Sequence, residues 1–187
     1  MKDASTRLAV LKGNKFPWPT KEGELVPVVF VQCGKEEDMG GMSKRNEGQA
    51  EVVQQVIKLL MTKNAQEGLP SSKDPNAKLK ITVLTPYTKQ VSELKSRIPK
   101  DQEIETFTID SFQGRESDII VFSTVRCNVE RDIGFVEDAR RLNVMWTRAK
   151  LALIVVGDRA TLGTSALWKR AMESCENVEL PEDLEAP

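Results

Sequence analysis

Three polar segments of this 187-residue chain hold side chains suited to chemistry on phosphate: TPYTKQ at 85–90, TIDSFQGRESD at 108–118 and DARRLNVMWTRAK at 138–150. Arg148 is the sharpest of them. A planar guanidinium held in a dry cleft stabilises charge developing on phosphoryl oxygens, and a lysine there would offer only a point charge. Arg140, Arg141 and Lys150 add local positive charge, which Asp138 partly offsets. Gly114 lets the backbone approach a ligand closely or take a positive φ, and Glu116 has a carboxylate able to meet a ribose or orient nearby cations.

Composition narrows the chemistry further. The chain has no histidine, which removes every Ser/His, Cys/His and His-ligated metal mechanism at once. Cys33, Cys127 and Cys175 lie far apart with no C-x-x-C pair, so they read as free thiols, and no metal site is expected. The 27 basic and 28 acidic residues nearly cancel, so any contact with a polyanion must be local. No segment approaches the roughly 18 apolar residues of a membrane helix, and the first residues, MKDASTRLAV, do not form a signal peptide. The expectation is an intracellular, soluble protein with no membrane partner.

Positioning these residues falls to alternating strands and helices. β-branched runs mark strands at 26–33, 79–86, 103–110, 118–126 and 151–158, most of them near-continuously apolar, the pattern of parallel strands covered on both faces. Helices are expected from Asn46, which has capping-box spacing to Gln49, and at about 88–98, 138–149 and 164–175. The fold class that follows is α/β: a doubly wound, mostly parallel sheet of five or six strands with helices on both faces. Ligands of such sheets bind beyond the carboxyl ends of the strands, so strand-end residues are the ones to inspect. One domain is expected over 1–180, followed by an acidic tail at 181–187, with solvent loops at 68–77 and around Gly40 and Gly41.

In order and content, the three polar segments, the GNKFPWP stretch at 13–19 and the Asn46, Gln49, Ala50 helix start resemble the second, C-terminal RecA-like domain of superfamily 1 helicases. The nearest group is the nonsense-mediated-decay helicases, and the resemblance spans nearly the whole chain. Asp110 to Glu116 is similar to that family's motif V, and Arg140 to Lys150 to its motif VI. The resemblance implies an ATP-dependent helicase domain in which Arg148 is the arginine finger. It places Gln113, Gly114, Glu116 and Arg141 on the nucleotide side, and Thr85, Pro86, Tyr87 and Ser111 on the backbone of single-stranded RNA or DNA. The implied cofactor is ATP with magnesium, held mainly by a first RecA-like domain as partner. Met145 and Trp146 depart from the family pattern, where smaller or aliphatic residues are typical.

Plainer readings stand beside these. TPYTKQ can simply end a strand and open a helix, QGRE can be an ordinary turn, and Arg140 with Arg141 can be a solvated helix face. Arg148 can be a structural cation paired with Asp118 or Asp138. Trp18, Trp168 and Phe112 are read as core and not as base-stacking platforms. The sequence has no Gly-x-x-x-x-Gly-Lys-Ser/Thr loop, since Gly34 and Lys35 are followed by Glu36. The expectation is therefore a motor domain unable to hydrolyse ATP by itself. The alternative is a degenerate helicase-fold module that binds a protein or RNA with no motor role.

Overall fold

The computed structural model describes residues 11–38, 40–62, 79–98 and 104–181. The expected loop at 68–77 and the tail beyond residue 181 lie outside them. Eight strands, five α-helices and two 3-10 helices are described: β1 (Thr20–Lys21), β2 (Glu24–Leu25), β3 (Val28–Gln32), α1 (Glu47–Met61), β4 (Ile81–Thr85), α2 (Thr88–Arg97), β5 (Ile104–Thr108), a 3-10 turn (Asp110–Phe112), β6 (Ser117–Ser123), a second 3-10 turn (Gly134–Glu137), α3 (Ala139–Thr147), β7 (Ala149–Gly157), α4 (Arg159–Leu162), α5 (Ala166–Glu173) and β8 (Glu176–Val178). β1 and β2 form a small antiparallel hairpin. The other six strands make one sheet in the order β5-β4-β6-β7-β3-β8, and every pairing in it is parallel.

Alternate residues of each central strand enter different cores. Val29, Val31, Ile119, Val121, Ile154 and Val156 face α1 and α2, meeting Ala50, Val53, Val56, Ile57 and Leu94. Phe30, Ile120, Phe122, Leu153 and Val155 face the other way, meeting Leu142 and Met145 of α3 and Trp168 and Met172 of α5. Apolar residues at consecutive positions are needed because helices cover both faces, which makes the fold a doubly wound α/β sheet, as the resemblance to RecA-like domains implies. Phe112 and Trp168 are fully buried, and Trp18 packs half-buried against the first core. Met145 is fully buried and Trp146 packs beside it, so the two departures from the family pattern are absorbed by the core.

Four expectations need correction. The strand expected to reach residue 126 ends at Ser123, because Val125 takes φ 69°, a left-handed conformation that a β-branched residue adopts only under constraint. The helix expected to run to residue 149 ends at Thr147, since Ala149 already pairs with Ser117 as the start of β7. The capping box is half formed: the Asn46 side chain accepts from the Gln49 N–H at 2.9 Å, but Gln90 from α2 takes the Asn46 N–H at 2.7 Å. The Gln49 side chain instead accepts from the Val125 N–H at 2.7 Å and the Ser123 hydroxyl at 3.0 Å, which holds the left-handed turn.

Candidate functional site

The fourth correction concerns where the chemistry lies. Arg148 and Glu116 immediately precede β7 and β6, so they lie at the amino edge of the sheet and not beyond its carboxyl ends. α3 carries the chain there. Asp138 caps it by accepting from the Arg140 N–H at 2.8 Å, Leu142 and Met145 fasten it to the sheet, and it ends beside β7. The Arg148 carbonyl accepts from the Ser117 N–H at 3.1 Å, which ties the two strand starts together.

The side chain of Arg148 is unspent. Its Nε is buried with no hydrogen-bond partner, and among the described residues the guanidinium meets no carboxylate within ion-pair range. Asp118 and Asp138, the possible structural partners, are engaged elsewhere: Asp118 accepts from the Lys80 N–H at 3.0 Å, and Asp138 caps α3. A buried guanidinium nitrogen left unpaired is costly, and Arg159 Nε is in the same condition among the described residues. Beside it, Glu116 pairs with Lys150 at 3.4 Å in solvent. Gln113 and Gly114 form an exposed turn, with Gly114 at φ 81° and nothing within 4 Å of where a Cβ would stand. Among the described residues, no group of three or more carboxylates or thiols is placed to hold a metal ion.

The carboxyl edge gathers the other expected residues. Thr85 ends β4 fully buried, with its hydroxyl unpartnered. Pro86 is half-buried, and Tyr87 is only 4% exposed. Burial raises the Tyr87 phenol above its usual pKa, and its oxygen accepts from Arg126 at 3.3 Å. Ser111 is exposed just past β5, hydrogen-bonded to Thr108. Arg141 also belongs here and not beside Arg148. Its guanidinium makes a two-pronged pair with Asp110, 2.8 Å on each prong, which raises its pKa, and it lies 5.4 Å over the Phe135 ring. The seven-residue step from Arg141 in α3 to Arg148 at its C-cap puts them about 10 Å apart along the helix axis.

A buried ion pair in the same edge escaped the sequence reading. Arg126 and Glu37, each 5% exposed, meet at 2.9 Å, and Arg126 also reaches Asp132 at 3.0 Å. Burial works against the Arg126 charge, but hydrogen bonds to Tyr87, Asp132 and Glu37 outweigh it and hold the group firmly protonated. Glu37 additionally accepts from the Cys127 N–H at 3.0 Å. Eighty-nine positions separate the pair, and no local pattern marks either residue.

A family model described as an AAA domain matches residues 3–160. The chain is similar to the "Regulator of nonsense transcripts 1" of Dictyostelium discoideum, 32% identical over 174 residues, which is 88% of this chain and 12% of that protein. It is similar also to the "ATP-dependent helicase NAM7" of Saccharomyces cerevisiae, 34% identical over 169 residues, 85% of this chain and 16% of the relative. The "DNA polymerase alpha-associated DNA helicase A" of the same yeast is 40% identical over 147 residues, 74% of this chain and 20% of the relative. The chain thus spans between 12% and 20% of the length of these three relatives.

Proposed function

Since the chain belongs to this AAA domain family and is a superfamily 1 helicase-like domain of the nonsense-mediated-decay type, we propose that it is the C-terminal motor domain of an ATP-dependent helicase, with Arg148 as its arginine finger. The observation that carries this reading is the unspent guanidinium of Arg148, with its buried and unpartnered Nε, at the start of β7. Among the described residues no carboxylate pairs with it, and its place at the start of β7 beside Glu116 supports the assignment.

Arg148 would meet the γ-phosphate oxygens of ATP held by a first RecA-like domain, with Gln113, Gly114 and Glu116 lining the same side of the cleft. ATP with its magnesium supplies a phosphoryl group that passes to water. The residues of this chain do the orienting: α3 and β7 fix Arg148 from two sides, and Lys150 holds Glu116 at the mouth. The opposite edge, from Thr85 to Tyr87 and at Ser111, would follow the backbone of a single strand of RNA or DNA. Contacts of this kind position a strand without reading its sequence. Arg141 leaves the nucleotide set in this reading, because its guanidinium is committed to Asp110 at the strand-binding edge.

The test is steady-state ATP hydrolysis with the domain joined to a first domain that holds a phosphate-cradling loop. Arg148→Ala should lower kcat by about a thousandfold or more while nucleotide binding is largely kept. The 187-residue chain assayed by itself should show no sustained turnover. Parental rates in the variant would remove the finger from Arg148, and helicase-like turnover by the chain alone would overturn its dependence on a partner domain.

A further inference from the structure

We infer that Phe135 is a base-stacking platform for single-stranded nucleic acid. Phe135 is 60% exposed, whereas the other aromatic rings of the second core are largely covered by it. One of its faces lies under the Arg141 guanidinium at 5.4 Å, and its ring centre is 6.0 Å from that of Tyr87. Arg141 in turn grips Asp110, the neighbour of Ser111. The ring therefore stands between the two segments assigned above to a single strand, and the inference rests on that assignment.

The loop that presents the ring is tightly fixed. Asn128 accepts from the Asp132 N–H at 2.8 Å and donates to the Asp132 carbonyl at 2.9 Å, while Asp132 accepts from the Gly134 N–H at 3.0 Å. Arg126 holds Asp132 from below, and the Trp168 indole donates to the Val136 carbonyl at 2.8 Å. An apolar ring left in water on a mobile loop would fold back against the core; this one is prevented from doing so on both sides. A rigid exposed ring backed by a cation offers a π-face that any base can meet, at little ordering cost.

A cation two residues from Tyr87 suits the same ligand. Lys89 at the start of α2 donates to the Gly40 carbonyl at 3.3 Å and meets no carboxylate within ion-pair range among the described residues. A polyanion with flat bases meets both the ring and this cation.

The probes are a fluorescein-labelled 12-nucleotide oligouridylate and an abasic strand of equal length, titrated by anisotropy into the full chain. Phe135→Ala should weaken oligouridylate binding roughly 5- to 150-fold, the range of one stacked base, and leave the abasic strand unchanged. Phe135→Trp should keep or tighten the oligouridylate affinity. Equal loss on both strands, or no loss, overturns the platform while leaving the strand track standing. If the parent chain binds neither strand, the track assignment itself fails and the platform with it. If sedimentation shows a parental dimer that Phe135→Ala dissociates, the ring is a contact between copies and the inference is wrong.

Discussion

Replacing Arg126 with methionine should cost about 3–4 kcal/mol of stability at neutral pH. The value follows from what would remain. Glu37, 5% exposed, would lose its 2.9 Å partner and keep only the Cys127 N–H at 3.0 Å and the Asn128 amide at 3.4 Å. Breaking a buried pair by removing one member costs about 3–5 kcal/mol. The two remaining donors and the methionine that fills the space lower this figure, while the Tyr87 oxygen, deprived of its 3.3 Å donor, raises it. For a domain of this size the loss amounts to a Tm lower by roughly 6–16 °C. Urea unfolding followed by circular dichroism measures it. The double variant Glu37→Gln, Arg126→Met should recover at least about 1 kcal/mol of the summed single losses, because neither charge is then stranded. Arg141→Met is the control: its pair with Asp110 has equally good geometry but is exposed, so it should cost no more than about 1 kcal/mol. Equal losses for Arg126→Met and Arg141→Met, or strict additivity in the double variant, would refute the assignment of this cost to burial.

Two further outcomes follow from the same edge of the sheet and its flank. Gly134→Ala should destabilise by about 2–4 kcal/mol, because φ there is 54° and a Cβ would stand 2.0 Å from an Arg126 nitrogen; Gly114→Ala, with φ 81° but open space, should cost only about 1 kcal/mol, and equal urea midpoints would contradict this. Asp158 is opposed by burial, but Gln32 at 2.8 Å and the Thr161 N–H at 2.9 Å outweigh it and hold its pKa below the ordinary value. With the folded value depressed, its stabilisation is present above the unfolded pKa of about 3.9 and fades as pH falls through the folded one. Asp158→Asn should therefore be less stable than its parent at pH ~7 by about 1–2 kcal/mol, with the gap narrowing as pH falls below about 4; a gap of constant size over that range would show that the carboxylate charge is not responsible.

Four of the five principal strands were legible because a central strand needs a near-unbroken apolar run to serve two cores, β5 was legible from its β-branched residues although it lies at the sheet edge, and the Asn46 helix start was legible because its cap is local. β8 was not, since its three residues, Glu176–Val178, sit at a sheet edge where half-exposed polar residues are tolerated. The two-residue strands β1 and β2 are too short to impose any pattern. At the site, the types and order of Arg148, Gln113, Gly114, Glu116, Thr85 and Ser111 were visible in the chain. Their division between two edges was not, because a segment such as 108–118 leaves one edge and arrives at the other, and only strand direction shows which residue falls where.

The sequence by itself determined an alternating α/β chain with a double-sided core and the chemical repertoire at its loops: guanidinium and carboxylate, with no imidazole. Those properties depend on residue type and on spacing within a helix or strand. The tertiary structure decided which charges are spent. Arg126, Arg141 and Arg148 look alike in the chain, yet one is buried against Glu37, one is paired in solvent with Asp110, and one is left with a buried nitrogen unsatisfied. The physical reason is that a charge's worth depends on its partner and its burial, and both are set by residues brought together from 31 and 89 positions away.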